Sequence, residues 1–466
     1  MLCLLLVTVI YLAPAAAGEV AYFRADSGVG QEVQRPLPED FDAPQALLWK
    51  QPLDAGHSTP CIVGDRVFVT TFDGKELATV ALDAGTGKQL WRRVCPNTRL
   101  EPFHKTGSPA ASSPASDGQR VYVFFGSYGL LAYDLQGELA WSVPMGPFQD
   151  EFGSASSPIL AGGKLILNED HDIDSFLLAL DPATGKPIWR TRRDDFTRSY
   201  ATPIVWRGAG RDELVVAGAL QLAAYDLDDG RVLWKLPGLA RIVNTTPTQH
   251  GNRLVVATWS PGGDTDARIG MDTWPAAVEQ WDKDKNGKLT REEVNNPDVL
   301  DRFFRIDLNQ DQGLDEAEWT KYARVFDLAQ NSLQVFDAPG VGEAAPRVAW
   351  EYRKGVPYVP SPVVVGNVVF MVKEGGIVSS LDLASGKLLK QARARGTGSY
   401  FASPVAGDGK LYLISDAGVL TVITAEGSWS VLASHDFGER TVATPVIHGG
   451  SVYIRTEKAL YRFAKP

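Results

Sequence analysis

A Ser/Thr-Pro step recurs along this chain, and its spacing constrains the fold more than any other feature. The steps are Thr59-Pro60, Ser113-Pro114, Ser157-Pro158, Thr202-Pro203, Thr246-Pro247, Ser361-Pro362, Ser403-Pro404 and Thr444-Pro445. The intervals between the prolines are 54, 44, 45, 44, 115, 42 and 41 residues, and all but the long one average 45. A period of that length matches one four-stranded blade of a β-propeller. Eight steps therefore imply an all-β chain of eight antiparallel blades.

A second signal closes each repeat. It reads ALDAGTGKQLW (81–91), ALDPATGKPIW (179–189) and AYDLDDGRVLW (224–234), with looser copies at 132–141 and 380–390. Each is a strand ending in Asp, a tight glycine turn and a second strand, which is a hairpin pattern. The closing tryptophans (Trp91, Trp141, Trp189, Trp234, Trp350) are expected to plug the space between neighbouring blades. Further strand patterns, such as RVFVTTF (66–72) and NVVFMVK (367–373), complete the units. The last unit ends without an outer strand, and ALLWKQP (46–52), with Trp49, has its character. That segment is expected to complete blade eight and close the ring, which removes exposed sheet edges.

The chain has a formal net charge of −10, which disfavours nucleic acid as a partner. Residues 2–12 are an apolar run followed by Ala15-Ala16-Ala17, a signal-peptide pattern too short to span a membrane. The expectation is an exported protein, periplasmic or extracellular, with no membrane span and a monomeric propeller. Cys61 and Cys95 would remain after cleavage; an oxidising compartment permits a bridge, but two unrelated small core residues are the preferred reading. The boundaries expected are a signal peptide at 1–17, a linker at 18–44, propeller at 45–260 and 331–466, and an insert at 264–328.

The insert accounts for the long interval, which exceeds the mean of the others by 70 residues. It falls between two strands of blade five. Inside it, DKDKNGKLTREE (282–293) places Asp282, Asp284 and Asn286 at positions 1, 3 and 5 of a twelve-residue loop. Gly287 takes position 6, where the loop must turn. Lys288 offers its carbonyl at position 7, Thr290 can act through water, and Glu293 can clamp with both oxygens at position 12. That is the ligand order of an EF-hand loop, and hard calcium takes about six to eight oxygens. DLNQDQGLDEAE (307–318) repeats it with Asp307, Asn309, Asp311, Asp315 and Glu318, but Gln312 replaces the glycine at position 6. Thr273 is read as a helix cap ahead of Pro275, and Pro297 as the start of the next helix, with Val299, Leu300, Phe303 and Phe304 on its apolar face. Trp319, Tyr322, Ala323 and Phe326 line the last helix at helical spacing. Leu289 and Leu314 share position 8, where paired loops meet through a short strand contact. One or two calcium ions are expected, in a structural role.

The Trp-terminated repeat with its D-x-x-T-G turn resembles the quinoprotein-type propeller family over about residues 45–260 and 331–466. That family includes PQQ-dependent alcohol dehydrogenases and the non-enzymatic BamB-type outer-membrane assembly lipoproteins. The enzymes stack their quinone under two adjacent bridged cysteines and hold a funnel calcium with Glu and Asn beside a catalytic Asp. This chain has no Cys-Cys pair and is shorter, which argues against PQQ. The resemblance therefore implies a scaffold for a protein partner, with a quinoprotein-like oxidoreductase and a small-molecule- or carbohydrate-binding propeller as alternatives. No nucleophile elbow, P-loop or dinucleotide fingerprint occurs. His57, Glu151, Phe152, Arg198, Tyr200, Asn244, Tyr358, Tyr400, Phe401 and Arg440, just ahead of the Ser/Thr-Pro steps, are expected at one rim of the funnel.

Overall fold

The computed structural model describes residues 21–29, 36–208, 210–264, 268–340 and 342–466; the signal-peptide pattern lies outside them. Eight four-stranded antiparallel sheets follow one another along the chain. Blade one runs through Cys61–Val63, Arg66–Phe72, Leu77–Asp83 and Gln89–Val94. Its first three strands are almost wholly buried, and only the outer strand alternates between buried and exposed. This is why the inner strands read as continuous apolar runs. Blade eight supplies Val446–His448, Ser451–Arg455 and Ala459–Ala464, and Leu47–Pro52 joins them as the fourth strand. Leu47 pairs with Phe463 and Pro52 with Ala459, so the N-terminal strand closes the ring as expected.

Both repeat signals acquire a physical reason. Around the inner ring the N–H of one blade's Ser/Thr donates to the hydroxyl of the next. Thr59 donates to Ser113 Oγ at 2.9 Å, Ser113 to Ser157 Oγ at 2.9 Å and Ser157 to Thr202 Oγ1 at 3.1 Å. The series continues through Thr246, Ser361 and Ser403 to Thr444. Each following proline has no N–H to satisfy. Ser157→Ala strands the buried N–H of Ser113, which costs about 1–3 kcal/mol. A urea unfolding curve should show the loss, and Ser157→Thr should restore most of it.

The tryptophans latch neighbouring blades. Nε1 of Trp49, Trp91, Trp141, Trp189 and Trp350 donates to the carbonyl just after the turn Asp of the next blade, at 2.8–3.1 Å. The turn glycine lies under the same ring. A Cβ added to Gly87 would sit 2.7 Å from Trp49, and Gly87 has φ +74°. Glycine is thus required twice over at this point. Blade five lacks the Asp-Gly turn, and Trp234 instead donates to Glu213 Oε2 of its own blade at 2.8 Å. In blade six Lys390 occupies the tryptophan position and donates to the carbonyl of Trp429.

Residues 21–29, placed by the sequence in a linker, cross the propeller axis. The Ala21 carbonyl accepts from Ser116 of blade two, and Val29 bridges Ala406 of blade seven. Arg24 is buried and donates to the Pro362 carbonyl at 2.7 Å and to Thr248 Oγ1 at 3.2 Å. Cys61 and Cys95 lie as thiols in one core cluster between blades one and two; Cys61 Sγ is 3.5 Å from the Ala21 carbonyl. Among the described residues no helix is long and apolar enough to cross a membrane.

Candidate functional site

Blade five is split by a helical insert. Arg253–Thr258 and Ser332–Asp337 pair in full register, Arg253 with Asp337 and Thr258 with Ser332, and the insert leaves and returns at the end of that hairpin. It contains α1 (Trp274–Trp281), α2 (Pro297–Leu300), α3 (Phe303–Ile306) and α4 (Glu316–Leu328). Its own core gathers Trp281, Leu289, Val299, Phe303, Leu314, Trp319 and Phe326. Thr273 stands ahead of α1 but its side chain caps nothing, because Pro275 leaves one fewer N–H at that terminus to satisfy. Phe304, expected on the apolar face, is 58% exposed, since the helix from Pro297 breaks after Leu300 and restarts out of phase.

The two acidic loops have the same internal wiring. In the first, Asp282 Oδ1 and Oδ2 accept from the N–H groups of Asn286 and Gly287 at 3.2 and 3.0 Å. In the second, Asp307 accepts from Asp311 and Gln312 at 3.1 and 2.9 Å. The last glutamates are held from both sides: Glu293 accepts from Lys283 and Thr290, Glu318 from Asn309 and Asp315. Asp284 and Asn309, at position 3, accept from the N–H at position 5, and Lys288 N donates to Asn286 Oδ1 at 2.7 Å. Asp315 also completes a capping box with Glu318 on α4. Leu289 pairs with Leu314 and Thr290 with Gly313, joining the loops through a two-residue ribbon. Carboxylate oxygens of Asp282, Asp284 and Glu293 lie within 4.8 Å of one another. The second loop differs in two ways. Gln312 adopts φ +73°, the conformation that Gly287 takes at φ +79° without strain. Asp311 is engaged by the ammonium of Lys288, which reaches across from the first loop.

The insert docks on the rim between blades three and five. Gln149 Nε2 donates to the Leu308 carbonyl, and Arg305 pairs with Glu151 at 3.3 Å. Glu151 also receives Arg198 at 2.7 Å, and Arg198 forks onto Asp172. Val325 of α4 and Ala329 just after it pack on Leu220. Behind this seam, His57, Phe152, Tyr200, Asn244, Tyr358 and Phe401 line a central cavity of about 210 Å³, floored by Phe23 of the N-terminal segment. His57 is half-buried in the cavity wall, and its desolvation, with Arg440 and Arg455 nearby, pushes its imidazole down to about 3, so it is neutral. Tyr400, expected at the rim, is 3% exposed and belongs to the core between blades six and seven.

Two buried glutamates beneath this rim were not singled out by the sequence. Ser154 Oγ lies 2.9 Å from Glu101 Oε2 and 2.7 Å from Glu169 Oε1. One hydroxyl has one hydrogen, so it donates to one carboxyl and accepts from the other, which must be protonated. Burial pushes Glu101 up from its usual 4.5 to about 8, and Glu169 is raised for the same reason and by the neighbouring Glu101, Asp150 and Asp170 charges. The folded protein thus holds protons that the unfolded chain releases above about pH 4.5. Stability is present below that pH and falls as pH rises towards 8. Urea midpoints measured from pH 5 to 8 should decline, and Glu169→Gln should flatten the decline.

The eightfold ring, its shared hydroxyl ladder and its Trp-to-turn latches define the chain as an eight-bladed β-propeller of PQQ-like repeats. More narrowly, the chain belongs to the family described as outer membrane protein assembly factor BamB, whose model matches residues 39–209, 174–295 and 324–465. A relative of that name from Burkholderia pseudomallei (strain K96243) is 27% identical over 286 residues, covering 57% of this chain and 68% of its own length. The Yersinia pestis protein of the same name is 26% identical over 235 residues, 47% of this chain and 54% of its own. The dehydrogenase subunit of a quinone alcohol dehydrogenase from Gluconobacter oxydans (strain 621H) is 32% identical, over 31% of this chain and 20% of its own length. The crystal structure of BamB from Moraxella catarrhalis shares the fold, with a TM-score of 0.57 at 12% identity over 90% of this chain and 97% of that one.

Proposed function

We propose that this protein is an exported, calcium-binding propeller that acts as a non-enzymatic scaffold for a protein partner in the periplasm or outside the cell. The observation that carries the calcium reading is the shared wiring of the two loops. In both, backbone N–H groups hold the carboxylates at positions 1 and 12, and in the first loop these oxygens lie within 4.8 Å of one another and of Asp284. In this reading Asp282, Asp284, Asn286, the Lys288 carbonyl and Glu293 hold one ion. Asp307, Asn309, Asp311, Asp315 and Glu318 hold a second, weaker one, and Asp311 must leave Lys288 to do so. Calcium would then stiffen the seam through Leu308 and Arg305, which bind the rim. Terbium luminescence excited through Trp281, which directly precedes the first loop, tests this. Saturable emission displaced by calcium is expected; none at millimolar terbium sinks the calcium reading. Gln312→Gly should relieve the positive φ, tightening the second site by roughly fivefold, on the order of 1 kcal/mol. A calcium titration before and after the change reads it directly.

The scaffold reading rests on the family and on the funnel. Among the described residues, the lining of the central cavity includes Ser, Thr, aromatic and small residues but no Asp or Glu. A quinone with a funnel calcium and a catalytic Asp does not fit such a wall. The segment matched by the Gluconobacter oxydans subunit keeps the oxidoreductase alternative testable. PQQ titrated into the calcium-loaded protein should leave tryptophan fluorescence unchanged at micromolar levels, and tight saturable quenching would favour the enzyme.

A further inference from the structure

The seam between the insert and the rim encloses a second cavity of about 170 Å³, and its charges are out of balance. Four cations line it: Arg198, Arg241, Arg305 and Lys321. Two carboxylates face them, Glu151 and Asp172. Both carboxylates are already committed, Glu151 to Arg198 and Arg305, Asp172 to the fork of Arg198. Arg241 has no carboxylate partner among the described residues. Its Nε donates to the Pro261 carbonyl at 2.8 Å, and Nη1 makes a long 3.5 Å contact with the Tyr322 hydroxyl. Lys321, on α4, makes no hydrogen bond or ion pair among the described residues, and the acids that act on it, Asp194, Asp172, Asp195 and Asp170, do so at longer range. Burial lowers its ammonium from the usual value, as for a half-desolvated charge that lacks a close counter-ion.

In a chain of net charge −10, two uncompensated cations converging on one enclosed cavity are unusual company. Desolvating a cation without a partner costs free energy, and a bound anion removes that cost. The rest of the wall sets the shape of such an anion. Phe152 and Tyr358 line both this cavity and the central one. Ile242 and Val325 add an apolar side. Enclosure, apolar walls and a few placed charges are the usual make-up of a small-molecule site.

We infer that the seam cavity binds a small organic anion, a carboxylate on a planar or apolar body, held by Arg241 from the propeller and Lys321 from the insert. The carboxylate lies between the two cations, and the body packs on Phe152 and Tyr358. The inference requires the insert to be seated on the rim, which bound calcium would stiffen, so it is tested in calcium; it does not depend on the scaffold reading.

The test uses isophthalate as the probe and its uncharged diamide, isophthalamide, as the matched control, titrated calorimetrically into the full-length protein in calcium buffer. Saturable isophthalate binding that weakens with added salt is expected, with no binding of the diamide. Arg241→Gln and Lys321→Met should each weaken it about tenfold, and the pair should abolish it. Arg231→Gln, in the turn of blade four, should change nothing. The inference is overturned if isophthalate fails to bind at up to about 10 mM, if the diamide binds as well, or if the double variant binds unchanged. Because the diamide comparison uses the unaltered protein, misfolding of a variant cannot decide the result.

Discussion

Glu293→Gln should remove calcium from the first loop and loosen the whole insert. Glu293, at the end of that loop, has each carboxylate oxygen fixed by a backbone N–H, as Asp282 does at its start: Oε1 by Lys283 at 3.1 Å and Oε2 by Thr290 at 2.9 Å. The Thr290 hydroxyl adds a further bond at 2.8 Å, and together these hold the Glu293 carboxyl below its usual range, ready to bind as the anion. The amide variant keeps the size and loses both the charge and one acceptor. Disturbing a group that merely orients a ligand costs about 10–100-fold in affinity, and loss of a bidentate ligand should exceed that. Thr290 also pairs with Gly313 in the ribbon between loops, so the second site should weaken in step. Calcium titration of the variant reads the affinity. Proteolysis of the insert with and without calcium reads the loosening, and equal resistance in both states would argue against a structural role for the ion.

Trp49→Ala should be among the most destabilising single changes in the propeller. Trp49 sits on the one strand that joins the two ends of the chain into one sheet. Its ring is buried against Tyr453, Val80 and Leu460, and the glycine of the blade-one turn lies on its face. Nε1 donates to the Ala84 carbonyl at 3.1 Å, and Arg462 reaches the same carbonyl at 2.8 Å. Truncating a buried tryptophan costs about 3–5 kcal/mol. Here the lost contacts also hold the ring shut, so partial opening should expose the edge of blade eight and favour aggregation. A thermal unfolding scan should show a fall for Trp49→Ala larger than for Trp234→Ala, because Trp234 bonds within its own blade and closes nothing.

The blade count, the ring closure and the position of the insert were legible because they depend on period and length. Thr59-Pro60 through Thr444-Pro445 mark the repeat whatever the residues do, and one interval absorbs the whole excess. The two acidic loops and the ribbon between them were legible because the spacing of their oxygen-bearing residues lies within a twelve-residue chain segment. Other features depend on where distant blades meet. The Ser/Thr half of each repeat marked the period without a reason for its hydroxyl, which the ring supplies by placing it beside its neighbour's N–H. Residues 21–29 carry no repeat and no motif, yet Arg24 finds acceptors on blades five and six across the axis. Glu101 and Glu169 are 68 residues apart in sequence and share a single serine hydroxyl. The one available signal there was the acidic run Glu169-Asp170-His171-Asp172 inside a strand end, where solvated charge is not expected. Tyr400 differs for a simpler reason: the residue alternates inward between blades six and seven while Phe401 takes the funnel position.

The central claim is that the blade-five insert is a pair of calcium sites, and counting bound ions by native mass spectrometry tests it most directly. The mature protein, equilibrated with calcium, should carry two ions. Glu293→Gln should lose the first-loop ion and leave at most the weakened second, and the double change with Glu318→Gln should leave none. A mature protein that carries no specific calcium under the same conditions, and is indistinguishable from the double variant, would contradict the account.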